Sequence, residues 1–594
     1  MRAVSRDHFS QLLYGISLLG ALLGLTASLY LLAGLRGHLG SLVLNGVAAV
    51  ILLLAALFFL LVFFLSLPQK KWPGLLIWLF ILGLLVAEVV LGLVPPTARD
   101  ELTHHLALPR LYLHAGRIFE IPFDHPSYFP MLLDMLFTPW VKWRWDFVPK
   151  LIHGLFGFLT GFLLYAYLAR RLNPSYGLLG CLCFVFTPIV LRLGNLAYVD
   201  LGLTFYSTAS LLCLLRWIEE KKALRWLILS GLSAGFALAT KPNGLLVLLL
   251  LFFLMAFALG REKGNGLWPK ALWLTLFLLL ALAPFSPWAV KNLIWTGNPF
   301  FPLFTAHFGG GGGEVGGGPS LGILDRRRLF YGESWWQIAA LPLRIFFSGA
   351  DDRAQHFDGV LNPMLILFLP WAFKGKWVEE KRLLFAFALF YFLYALSLTE
   401  LRIRYILPMV PPLVILLVYG IHNVYLRIAR PSYLFAAVAL LLTLNGIYLW
   451  NYFHAVSPLD YLKGRESREA YLSRMLPDYP AFRYINQQLP PAAKVYLIFM
   501  GRRVYYCERD YFYDASDNPW VLLRMIQGSK NGDEVKPKLG QRGITHLLVR
   551  EELLKRFLDN NLTSQQKRIW DSFAARHLKG LFRERGYSLY QIHG

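Results

Sequence analysis

Apolar runs long enough to cross a bilayer alternate with short polar connections along most of the chain. A spanning helix needs about 20 predominantly apolar residues. Thirteen stretches read as candidates, near 9–34, 41–67, 74–94, 151–169, 177–193, 201–217, 226–240, 243–260, 270–290, 360–373, 383–399, 405–421 and 433–453. Lys241-Pro242-Asn243-Gly244 divides what would otherwise be one long run, because Pro and Gly end helices. The first run is longer than a signal-peptide core and has no clear small-residue cleavage site after it, so it reads as a span. Beyond 453 the pattern changes. Val495–Phe499 and His546–Val549 read as buried strands, and 551–558 and 566–579 as amphipathic helices. The expected architecture is an α-helical polytopic membrane protein with a small C-terminal α/β domain outside the membrane.

Basic residues orient the stack. Alternate connections carry Arg2/Arg6, Lys70/Lys71, Arg170/Arg171, Arg216/Lys221/Lys222/Arg225, Arg261/Lys263/Lys270, Lys374/Lys376/Lys381/Arg382 and Arg427/Arg430. The opposite short connections carry only Arg36, Arg192, Lys241, Arg402 and Arg404. Cytoplasmic loops are enriched in Lys and Arg, so the N-terminus is expected in the cytoplasm of an inner (plasma) membrane protein. Thirteen spans then put the C-terminal domain on the periplasmic or extracellular side, together with the loops 95–150 and 291–359.

Composition agrees with this picture and removes one alternative. Of 594 residues, 56% are hydrophobic and 16% charged, against about 25% charged in soluble proteins. The net charge of +23 would suggest nucleic acid if read alone. Its distribution says otherwise: most of it lies in the cytoplasmic connections and in the tail 454–594. The expected partners are therefore membrane lipids and no nucleic acid. The glycine-rich stretch 309–318 reads either as a flap over a site or as an insertion without a role. Cys181, Cys183 and Cys213 fall in spans and Cys507 stands alone in the outer domain, so no disulfide framework is expected.

Charged residues close to hydrocarbon are costly, which makes the few on the outward side informative. Asp100-Glu101 stands just past the third span, ahead of a stretch in which Leu102, Leu106, Leu108, Leu111, Leu113 and Ile118 fit a helix in the membrane interface. The pair reads either as a general base for an incoming hydroxyl or as acids favoured by a helix N-terminus. Asp200, on the same side, reads as a second site acid or a helix cap. Glu88 lies within a span, where pairing or protonation is expected. Lys241, Arg402 and Arg404 are candidates for a lipid-linked phosphate, or else snorkel to headgroups.

Together these segments resemble the GT-C glycosyltransferases, the group that includes protein O-mannosyltransferases and lipid A aminoarabinose transferases. The resemblance rests on Asp100-Glu101 with the stretch after it, Thr187-Pro188 with Tyr198-Val199-Asp200, and Ala239-Thr240-Lys241-Pro242-Asn243-Gly244. Gly297-Asn298-Pro299-Phe300-Phe301-Pro302 and Arg404-Tyr405-Ile406-Leu407-Pro408 complete it. It covers roughly 74–453, with 1–73 as two additional N-terminal helices and 454–594 as an appended soluble domain. It implies a sugar donor carried on polyprenyl phosphate, undecaprenyl phosphate in a bacterial envelope, and a lipid, glycan or protein acceptor. Asp100 would be the catalytic base, Glu101 its neighbour, and Asp200 a residue orienting acceptor or an optional metal. Lys241 and Arg404 would meet the donor phosphate, with Arg402 and Tyr405 beside them. His104-His105 departs from the common pattern and reads as acceptor-specific. No Asp-x-Asp motif occurs in the first outer loop, so no metal ligand set and no obligatory cofactor is expected, although a divalent cation is compatible. The competing readings are a ligase or polymerase acting on a lipid-linked oligosaccharide, a lipid-linked-sugar flippase or transporter, and a scaffold with a degenerate site.

Overall fold

The computed structural model describes residues 6–68, 72–262, 266–308, 322–396 and 400–593. Arg2, Lys70, Lys71, Lys263, the glycine-rich stretch 309–318 and the end of the expected span 383–399 lie outside the described residues. The membrane part begins with α1 (Arg6–Leu35), α2 (Leu42–Leu65) and α3 (Trp72–Gly92). Within the first outer loop come α4 (Ala107–Ala115) and α5 (Leu132–Lys142). The bundle continues with α6 (Val148–Arg171), α7 (Pro174–Val185), α8 (Pro188–Gly194), α9 (Asp200–Glu219), α10 (Leu224–Thr240), α11 (Gly244–Gly260) and α12 (Leu267–Thr296). Helices at Val378–Ala395, Val410–Tyr425 and Pro431–Val456 complete it.

Among the described residues, eight helices are long and apolar enough to span a membrane, or nine if a bent pair counts as one. The pair is α7 and α8, expected as one run and bent by 70° where Thr187 meets Pro188. Proline lacks the N–H that would continue the helix and disfavours helical geometry in the residue before it. Helices α10 and α11 are shorter apolar helices within the bundle. The expected span 360–373 consists of two four-residue helices, Met364–Leu367 and Leu369–Ala372, again with a proline opening the second.

Burial sorts the helices into a core and a lipid-facing shell. The apolar windows of α6, α9 and Ile403–Tyr425 are about nine-tenths buried, whereas α2, α3, α12 and Pro431–Val456 bury a third or less of theirs. Helices α6 and α8 approach closely because Gly154 faces the carbonyl of Gly194, where a Cβ would collide with it. That contact seats the loop 195–199 above the core helices.

Charge divides the bundle into two ends. At one, Arg170 and Arg171 pair with Glu219, Lys222 with Glu262, and Arg261 with Glu379. This single network joins four of the basic connections assigned to the same side by sequence. Asp100, Asp200, Lys241 and Arg404 sit at the other end, beneath the C-terminal domain.

That domain has a five-stranded sheet in the order β2-β1-β3-β5-β4, with β1 Lys494–Ile498, β2 Asp510–Phe512, β3 His546–Arg550, β4 Leu578–Glu584 and β5 Tyr587–Ile592. β1 is parallel to both β2 and β3, and the β4–β5 hairpin adds antiparallel to β3. Helices Glu551–Asn561 and Ser564–His577 follow β3, the second opening on a capping box at Thr563 and Gln566.

The stretch after Asp100 corrects one expectation. It opens as a π-helical turn, Glu101–His105, closed by a bond from Leu106 N–H to the Glu101 carbonyl. Leu102, Leu106 and Leu108 are buried instead of facing lipid. The Leu102 carbonyl accepts the N–H groups of Val504 and Tyr505, at 3.0 and 3.1 Å. The apolar face packs within the protein, α4 against α5 and Ile118 against Gly34 of α1, while the backbone of the same stretch meets the C-terminal domain.

Candidate functional site

Helices α9 and α10 form an antiparallel hairpin whose turn lies near residue 220. Residues equidistant from the turn meet: Ser210 and Ser230 bond midway along the helices, and Asp200 and Lys241 meet at the outer end. Lys241 Nζ lies 2.6 Å from Asp200 Oδ1. The Asp200 side chain is 1% exposed, and its second oxygen has no hydrogen-bond partner among the described residues.

A second ion pair lies beside the first. Arg404 opens the Ile403–Met409 3-10 turn that leads into the Val410–Tyr425 helix, and its Nη1 donates to Asp100 Oδ2 at 2.6 Å. Tyr405 lies against both cations, 4.8 Å from Lys241 Nζ and 5.2 Å from the Arg404 guanidinium carbon. The Tyr198 ring packs on the other side of Arg404 at 5.1 Å, and its hydroxyl accepts the Asp100 N–H. Burial alone would raise the Asp100 pKa, but the Arg404 charge and hydrogen bond outweigh it and hold the carboxyl well below the usual carboxylate range.

The remaining expected residues separate by role. Glu101 is fully buried and braces backbone: Oε2 accepts Thr97 and Ala98 N–H at 2.9 and 2.8 Å, and Oε1 accepts Ala197 N–H at 2.6 Å. Burial pushes its pKa up, while the Lys150 charge and these donors oppose that rise. The brace ties the Asp100 loop to the Asp200 loop. His105 is buried, with Nδ1 2.9 Å from Asp134 Oδ1. His104 bonds Thr103 and lies tilted against His105, ring centroids 4.1 Å apart. Burial lowers the pKa of His104 to about 3 and of His105 to about 4, so both rings are neutral near neutral pH. Arg402 lines the same cavity but is held by Glu400 at 2.6 Å and Asp358 at 3.1 Å.

Several contributors escaped sequence reasoning. His153 bonds the Leu193 and Leu196 carbonyls through Nδ1 and accepts Leu201 N–H at Nε2, each at 2.8 Å, and so holds the loop before Asp200. Asp134 and Tyr198 act on His105 and Arg404. Each is one residue in an apolar or aromatic context, and only spatial proximity gives it a role. Arg99 was passed over although it adjoins Asp100; it is exposed at the rim of the site.

Above the ion pairs opens a cavity of about 830 Å³, bounded by Asp100, Tyr198 and Arg404 below and by Arg503 of the C-terminal domain above. Its side wall carries Arg192, which faces Asp351 at 3.0 Å and Asp352 at 2.6 Å. Among the described residues, no group of three or more His, Cys, Asp or Glu side chains is arranged to hold a metal ion.

Core helices that carry acid–base pairs at one end, under a soluble domain seated on the first outer loop, define a polytopic membrane protein of the GT-C fold. Comparison with known proteins agrees. Residues 145–291 match the family described as dolichyl-phosphate-mannose-protein mannosyltransferase. Among solved structures, apo ArnT from Cupriavidus metallidurans is similar over 86% of this chain and 97% of its own, at 15% identity and a TM-score of 0.51. ArnT bound to undecaprenyl phosphate covers the same shares at 14% identity and a TM-score of 0.48. The apo oligosaccharyltransferase of Archaeoglobus fulgidus aligns over 86% of this chain and 73% of its own, at 12% identity and a TM-score of 0.45. No curated protein matches in sequence.

Proposed function

We propose that the chain is an inverting glycosyltransferase that moves a sugar from a polyprenyl-phosphate donor to an acceptor hydroxyl on the outer face of the membrane. The observation that carries this reading is the Asp100–Arg404 ion pair at the floor of the cavity, with Lys241 and Asp200 beside it. The match of residues 145–291 to a family named for a dolichyl-phosphate donor supports the same chemistry.

In the proposed reaction the donor phosphate enters between Arg404 and Lys241. Two cations there stabilise the charge that develops on the phosphate oxygen as its bond to the anomeric carbon breaks. The acceptor oxygen attacks that carbon from the opposite side and inverts it, and its proton passes to Asp100. In the resting site Arg404 suppresses the basicity of Asp100. A phosphate that engages Arg404 weakens that hold, and burial then favours proton uptake by the carboxylate. Donor binding thus arms the base. Asp200 keeps Lys241 oriented toward the phosphate, and Glu101 keeps the two acidic loops in register.

The test is to incubate the purified chain with a panel of polyprenyl-phosphate sugars and candidate acceptors, reading released polyprenyl phosphate by mass spectrometry. Acceptor-dependent release that Asp100→Asn abolishes is expected. Full release by that variant would overturn the base assignment, and transport of intact donor without cleavage would favour a flippase.

A further inference from the structure

A second concavity, of about 540 Å³, opens on the same end of the molecule and shares no lining residue with the first. Its walls come from the α1–α2 turn (Leu39, Gly40), from Arg110 on α4, from Lys142 and Arg144 at the end of α5, and from Arg468 of the C-terminal domain. The two additional N-terminal helices therefore build part of it.

The pocket is short of negative charge. Arg468 pairs with Asp146 and closes one side. Arg110 and Arg144 share a single carboxylate, Glu508, at 3.5 and 3.8 Å. The Lys142 ammonium donates to the Gly40 carbonyl and has no carboxylate partner among the described residues. Four cations thus face two carboxylates.

Its surroundings are those of a membrane interface. Leu29 is 62% exposed on α1, and Leu42 and Val43 are each 77% exposed at the start of α2, so apolar surface flanks the turn that forms the wall. Trp140, Trp143 and Trp145 cluster on the segment that carries Lys142 and Arg144, with Trp145 half exposed. Tryptophan concentrates where bilayer meets water. A soluble anion would use only the cations, whereas a lipid uses the cations and the apolar strip beside them.

We propose that this pocket binds the headgroup of an anionic phospholipid from the leaflet on the catalytic side, with its acyl chains along the exposed faces of α1 and α2. The site is independent of the sugar-transfer reading.

The test is native mass spectrometry of the full-length chain in detergent, with dioleoyl phosphatidylglycerol or dioleoyl phosphatidylcholine added. Phosphatidylglycerol should be retained over phosphatidylcholine. Lys142→Ala with Arg144→Ala should weaken that retention by about fivefold for each cation removed. Lys142→Arg with Arg144→Lys should preserve it, and because both positions are exposed neither change threatens folding. Arg404→Gln should keep the phosphatidylglycerol adduct, and inorganic phosphate should not displace it. Equal retention of the two lipids, or an unchanged double-alanine variant, would overturn the proposal. So would loss in Arg404→Gln alone, and displacement by phosphate would overturn the commitment to a lipid.

Discussion

Lys241 reaches back across 41 residues of sequence to Asp200 and meets it at 2.6 Å, closing the outer end of the α9–α10 hairpin. Asp200 is buried and, among the described residues, its remaining oxygen has no hydrogen-bond partner, so the ammonium on Oδ1 compensates its charge most directly.

Lys241→Met should therefore destabilise the chain by about 3 kcal/mol, since removing one partner strands a buried charge. Adding Asp200→Asn to Lys241→Met should recover most of that loss. Chemical unfolding of the two single variants and the double variant in detergent measures the coupling. Additive losses would mean that the pair contributes no coupling.

The Asp100–Arg404 pair makes a pH prediction. The folded-state pKa of Asp100 is depressed, so the base form persists below the usual carboxylate range and is lost only as pH falls through the lowered value. Arg404→Gln removes the main opposing charge and leaves burial to raise the pKa. The acidic limb of kcat/KM should then move to higher pH, whatever the residual rate. An unmoved limb would assign it to another group.

Glu101→Gln puts an amide where three backbone N–H groups point. An amide offers one acceptor oxygen and a competing N–H₂ donor, so at least one buried donor loses its partner, at a cost of about 2 kcal/mol. Because the same oxygens register the Asp100 and Asp200 loops, transfer should fall as well. A thermal unfolding scan with an activity assay separates the two effects. An unchanged melting temperature would remove the brace.

Asp134 predicts an effect between mildly acidic and neutral pH. Burial raises its pKa to about 8, so the folded state holds this proton more tightly than the unfolded chain does. The resulting stability is complete below the ordinary carboxylate value and is lost as pH rises through 8. Asp134→Asn keeps a hydrogen-bonding group opposite His105 without that titration. It should flatten the decline in stability between the ordinary carboxylate value and about pH 8, and an unfolding series across that range checks it.

Most helix positions, the basic end of the bundle and the C-terminal α/β domain were legible because each follows from a local pattern of apolar runs, Lys/Arg clusters or alternating strands. Asp100, Asp200, Lys241 and Arg404 were legible as charges that hydrocarbon makes costly. Their pairing was not. It depends on the α9–α10 register and on a turn some 300 residues beyond Asp100. The pairing also changes their meaning, because Lys241 and Arg404, two of the expected phosphate ligands, already hold expected acids. Glu101 shows the same limit: its neighbour suggested chemistry, while its three backbone donors are visible only once the loops fold together. The first-loop stretch reads as an interfacial helix because its apolar face has the same periodicity whether lipid or neighbouring helices cover it.

The bonds from Val504 and Tyr505 to the Leu102 carbonyl, with the Tyr506 hydroxyl on the Pro96 carbonyl, give the C-terminal domain a fixed mounting on the loop that carries Asp100. Lifting the domain away would pull on the base itself. On the proposed reaction the domain and the Asp100 loop share one backbone seam, and a donor anchored by its lipid tail would enter sideways, along the helices, without disturbing it.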